Sequence, residues 1–138
     1  MEKANILVVA NDNAVIDKVK ACFTSQGHQI IPAYNIPLGF FLAQKNFPEL
    51  ILCETILKDG NALELLSEVR SDPDLVEIPF AIIDNTGGNS VEEAEATRYG
   101  IAAVIDVNAS DGFIISELLP LIQQRLSKKE EREEYSPE

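Results

Sequence analysis

The sequence predicts an α/β protein built on a three-layer, doubly wound parallel sheet of five strands, and three observations lead there. Five short apolar runs recur along the chain, segments with apolar residues at helical spacing fall between them, and glycine, proline or asparagine marks nearly every junction. Strands alternating with helices imply parallel pairing through right-handed crossovers, with helices covering both faces of the sheet.

Asn5 to Ala10 is the first run, apolar almost throughout as a strand buried on both faces requires. Asn11, Asp12 and Asn13 supply a turn and a helix cap, Val15, Val19, Cys22 and Phe23 follow at helical spacing, and Gly27 closes the helix. His28 to Ala33 reads as the second strand, at an edge because Pro32 has no N–H for a central ladder. Pro37 suits the first turn of a helix carrying Leu38, Phe41 and Leu42. Leu50 to Cys53 is the third strand, and a turn at Lys58 to Asn61 leads to a helix with Leu63, Leu65, Leu66 and Val69.

Phe80 to Ile83 is the fourth strand and ends at Asp84; Thr86 to Asn89 is a glycine-bearing loop. Ser90 and Glu93 form a capping box for a short helix that Gly100 closes. Ile101 to Ile105 is the fifth strand. Ser110 or Asp111 caps the last helix, whose inward face carries Ile114, Leu118, Leu121 and Ile122, with a kink expected at Pro120. Residues 1–126 therefore make one domain, and 127–138 a charged helix end passing into a solvated tail.

With 138 residues and 46% of them apolar, the chain can bury a genuine core. Eleven basic against 23 acidic residues give a net charge of −12, which repels nucleic acid and anionic lipid. No apolar run approaches the roughly 20 residues that span a bilayer, and no basic-then-apolar leader opens the sequence, so a cytoplasmic location is expected. Cys22 and Cys53 sit in apolar segments and read as small hydrophobes; His28 has no second histidine with which to share a metal and reads as structural.

In an open parallel sheet, ligands gather at the carboxyl ends of the strands, which puts Ala10-Asn11-Asp12, Cys53-Glu54, Asp84-Asn85 and Asp106-Val107-Asn108 at the candidate rim. At this point the sequence resembles a bacterial response-regulator receiver domain. The resemblance spans about residues 5–126 and is carried by Ile6-Leu7-Val8-Val9, Pro48 to Leu52, Ala62 to Leu66 through Arg70, Ile78-Pro79 and Tyr99-Gly100-Ile101. It implies strand order 2-1-3-4-5. It also implies a phosphoaccepting aspartate after strand three, an acid pair after strand one that helps hold magnesium, a hydroxyl after strand four, and a lysine followed by proline after strand five. Carboxylates hold the hard cation, cation and lysine offset the phosphoryl charge, and the hydroxyl reads the product.

By that resemblance Glu54 takes the phosphoacceptor position, Ala10 and Asn11 the acid pair, Asp84 the hydroxyl, Val107 the lysine and Asn108 the proline, while Val104 replaces the switch aromatic. None of the chemical positions is kept. The expectation is a pseudo-receiver, not an enzyme, with no cofactor and no metal. It would act through a protein partner, without touching nucleic acid or membrane, as a monomer or weak homodimer. In receivers the docking surface is the fourth helix, fifth strand and fifth helix, here offering Glu92, Glu95, Arg98, Tyr99 and Val104.

Alternatives remain. Glutamate at position 54 crudely imitates a charged phosphoaspartate, which leaves a permanently active mimic open. A first strand one residue longer would make Asn11 and Asp12 the pair, so that Asp12, Glu54, Asp84 and Asp106 formed an acidic, cation-taking pocket in a still phospho-accepting regulator. A flavodoxin-like small-molecule binder is the third; its candidate loop, Thr86 to Asn89, lacks the hydroxyl density of a flavin phosphate site.

Overall fold

The computed structural model describes residues 3–88 and 93–134. Strands β1 (Asn5–Val9), β2 (Gln29–Ala33), β3 (Leu50–Glu54), β4 (Phe80–Asp84) and β5 (Ala103–Asp106) form one parallel sheet in the order 2-1-3-4-5. The expected α/β doubly wound class and strand order are both present. Successive β1 side chains point to opposite faces. Ile6 and Val8 pack with Val15, Val19, Phe23, Ile114, Leu118 and Ile122, beneath α1 (Asn13–Phe23) and α5 (Asp111–Glu134). Leu7 and Val9 pack with Ile36, Ala43, Leu65 and Val69, beneath α2 (Ile36–Asn46) and α3 (Ala62–Ser71). Pro32 lies on β2, an edge strand. Cys22 and Cys53 are both free and buried, and burial raises both thiol pKa values, so neither presents a ready thiolate.

The helix starts follow from side-chain caps. Asp12 accepts from the Ala14 N–H at 3.0 Å, Asn35 from Leu38 at 2.8 Å, Asn61 from Glu64 at 3.2 Å, and Ser110 Oγ from Phe113 at 3.2 Å. Gly27, after a 3-10 turn at Thr24–Gln26, takes the left-handed conformation expected where the first helix ends. The short α4 (Glu93–Arg98) is present, but its expected Ser90–Glu93 capping box falls outside the described residues, as does Glu92.

Three features go beyond what the sequence spacing indicates. The second helix does not bury Leu38 and Phe41; it turns Ile36, Gly39 and Ala43 to the sheet and leaves Leu38 and Phe41 exposed. Close approach explains this, since a Cβ at Gly39 would lie 2.9 Å from Val9 Cγ2, so only a small side chain fits there. Second, the Lys58 to Asn61 turn closes a small antiparallel hairpin, Ile56–Leu57 with Gly60–Asn61. Third, α5 carries Pro120 inside it, exposed, and runs on through the charged segment to Glu134. There Lys129 reaches back to form an ion pair with the buried Glu49, which also accepts from the Asn5 N–H at 2.6 Å. At the same end of the sheet His28 is buried, and its Nδ1 accepts from the Ala4 N–H at 3.0 Å.

Candidate functional site at the carboxyl rim of the sheet

The rim assembles from the ends of β1, β3 and β4. Pairing of Val9 with Cys53 brings Asn11 beside Glu54, and pairing of Glu54 with Ile83 brings in Asp84 and Asn85. Glu54 is buried, 5% exposed, and accepts two hydrogen bonds: Oε1 from the Asn11 backbone N–H at 2.7 Å and Oε2 from Asn85 Nδ2 at 2.8 Å. Both donors are uncharged. Among the described residues no basic side chain pairs with Glu54.

The two asparagines bind the following loop as well. Asn11 Nδ2 donates to the Ile56 carbonyl at 2.8 Å and its Oδ1 accepts from the Lys58 N–H at 2.9 Å. Asn85 grips the same residue from the other side, donating to the Ile56 carbonyl at 3.0 Å and accepting from the Ile56 N–H at 3.2 Å. Three strand ends are thereby tied into one amide clip around Glu54. A carbonyl and a carboxylate in such a position are oxygen donors of the kind a hard cation takes. Here amide N–H groups already occupy both.

The remaining acids serve their own loops. Asp84, 6% exposed, accepts through Oδ1 from the Thr86 N–H at 3.0 Å, Thr86 Oγ at 2.6 Å and Thr55 Oγ at 3.1 Å, and through Oδ2 from the Gly88 N–H at 3.0 Å. Gly87 and Gly88, at φ 77° and 97°, let the backbone curl its N–H groups around this carboxylate. Asp12 caps α1, and Asp106 accepts from the Asn108 N–H at 2.7 Å. Asp12, Glu54, Asp84 and Asp106 therefore do not converge, and among the described residues no three acidic, histidine or cysteine side chains are grouped to hold a metal ion. Ala10 is fully buried in the core, and Val107, half-buried, packs against it.

On the flank, Glu95 and Arg98 are exposed, Tyr99 is 43% and Val104 40% exposed, and the Arg98 guanidinium stands 5.6 Å from the Tyr99 ring centroid. Sequence reasoning named the Asp84-Asn85 pair as a strand end but followed only Asp84. The missed signal was symmetry of type: an asparagine just past the end of β1 and another just past β4, flanking a carboxylate between them.

No protein-family model matches the chain. The protein PilH of Pseudomonas aeruginosa is 26% identical over 80 residues, which cover 58% of this chain and 66% of PilH. A response regulator of Desulfuromonas acetoxidans superposes with a TM-score of 0.76 at 17% identity, covering 88% of this chain and 98% of that one. The chemotaxis response regulator CheY4 of Vibrio cholerae gives 0.77 at 14% identity, over 87% and 99%. The non-phosphorylated HemR receiver domain of Leptospira biflexa gives 0.75 at 20% identity, over 86% and 94%. The chain has the receiver fold.

Proposed function

We propose that this chain is a receiver-fold signalling module that works by binding a protein partner, is not an enzyme, and does not cycle through aspartyl phosphorylation. One observation carries the reading: both Glu54 carboxylate oxygens and the Ile56 carbonyl already accept hydrogen bonds from Asn11 and Asn85, with no cationic partner for Glu54 among the described residues. Phosphoryl transfer is mainly positioning and charge compensation. A phosphoryl group arriving at Glu54 would add negative charge beside a buried carboxylate, with neutral asparagines where a cation and its ligands are needed. A cation at these oxygens would compete with the four hydrogen bonds that Asn11 and Asn85 donate to them.

The same geometry weighs against permanent mimicry of a phosphorylated state. A mimic must drive a switch, and the switch positions are unsuited to one: Asp84 is held by at least four donors where a hydroxyl would move, and Val104 stands where a switch aromatic would report. Docking by the α4–β5 flank is supported by the exposed Tyr99 and Val104 beside Arg98, an aromatic and an arginine being frequent anchors of interfaces. The −12 charge supports a protein partner over nucleic acid or an anionic membrane, and no helix of the described residues is long and apolar enough to cross a bilayer.

Incubating the chain with magnesium and a small phosphoryl donor, then weighing it intact, tests the reading. The mass should stay unchanged. A phosphoryl adduct mapped to Glu54 would end the proposal.

A further inference from the structure

Helix α2 has an outward face that none of the described residues covers. Because Gly39 must lie against Val9, the larger apolar side chains of this helix turn elsewhere. Phe41 is 56% exposed and Leu38 36%, whereas Phe40 is half-buried at the junction with α3. Phe40 forms one wall of a groove of about 410 Å³ between the two helices, whose other walls are Glu68, Ser71, Asp72 and Pro73. Gln44 Nε2 donates to Asp72 Oδ2 at 3.2 Å and so ties α2 to the end of α3. Glu68 and the neighbouring Asp74 are exposed. Lys45, one turn beyond Phe41, is the one basic residue of α2.

We propose that this α2–α3 groove docks a cationic amphipathic helix of a partner protein, on a face separate from both the rim and the α4–β5 flank. Two features select that occupant. Phe40 gives the groove an apolar wall, and Phe41 and Leu38 extend exposed apolar area over the adjoining outward face of α2, which the apolar side of a helix can cover. Acidic Glu68 and Asp72 line the far side, in a molecule whose −12 charge attracts cations at long range. A lipid surface is disfavoured by the same charge where it is anionic, and by the acids lining the groove where it is not.

The probe is a fluorescent amphipathic peptide of about 16 residues, long enough to be helical on contact, with leucines on one face and lysines on the other. Titrated against the full chain, it should bind saturably and shift the amide resonances of α2 and α3. Replacing its lysines by glutamates should abolish binding. Phe41→Ser with Glu68→Lys alters only exposed positions and should weaken binding about ten-fold or more while thermal unfolding stays unchanged. Tyr99→Ser with Val104→Ser should have no effect, so this groove and the proposed α4–β5 docking flank are tested apart. Binding that ignores the α2–α3 substitutions, binding that is lost with the Tyr99 pair, or Phe41-dependent binding to neutral phosphatidylcholine vesicles would each overturn the proposal.

Discussion

At the scale of single residues, two asparagines decide the character of the rim. Asn85 alone contributes one hydrogen bond to Glu54 and two to Ile56. Removing its side chain leaves the buried carboxylate with one partner fewer, so Asn85→Ala should lower the unfolding free energy by about 1–2 kcal/mol, read as a shifted urea midpoint. His28 carries a second residue-scale consequence. Burial lowers its pKa from 6.5, with Glu49 partly opposing, and its Nδ1 accepts a hydrogen bond only while that nitrogen is unprotonated. The folded state thus favours the neutral ring: stability from this site is complete above pH 6.5 and falls as pH drops through the lowered folded value. Urea midpoints should decline on acidification just below pH 6.5, and a His28→Asn variant, which keeps an acceptor but does not titrate, should flatten that part of the profile. In the sequence His28 was legible as structural, because a lone imidazole opening a strand has no ligand partners. Its tie to Ala4 was not, because that contact joins two strands through tertiary register.

At the scale of elements, periodicity located all five main strands and all five helices but misjudged one face. Leu38 and Phe41 have helical spacing, yet the sheet side of α2 is set by how near the helix must come to Val9, and only Gly39 and Ala43 are small enough. Gly39→Val should force the helix outward and destabilise the fold by about 1–3 kcal/mol, measurable by thermal or urea unfolding. The charged end of α5 holds a contact that spacing does not reveal. Lacking large apolar residues before Tyr135, it reads as solvated, and it is largely exposed, but Lys129 meets a carboxylate buried at the amino end of the central strand β3. A long-range ion pair of this kind leaves no periodic trace. Lys129→Ala leaves Glu49 with its Asn5 N–H bond but no counter-charge. Stability should fall by about 1–3 kcal/mol, with less effect at high salt because the lysine is partly exposed.

At the scale of the whole molecule, fold and chemistry separate. The receiver fold was legible because alternating strands and helices with buried parallel runs admit few topologies. The state of the rim was legible only in part. Ala10, Val107 and Glu54 showed in the sequence what the site lacks, whereas the clip that replaces it depends on where Asn11 and Asn85 aim their amides, and side-chain aim is set by the assembled rim. The fold brings three strand ends together at the rim, and there the Glu54 and Ile56 oxygens accept hydrogen bonds from the chain's own N–H donors.

The most direct measurement of that claim is an amide chemical-shift titration with magnesium and beryllofluoride. The account predicts that the resonances of Asn11, Glu54, Ile56 and Asn85 stay in place at saturating additions, with at most diffuse shifts spread over the acidic surface. Saturable shifts confined to those four residues would mean that the clip opens and the rim takes a phosphoryl mimic, contrary to everything derived from its geometry.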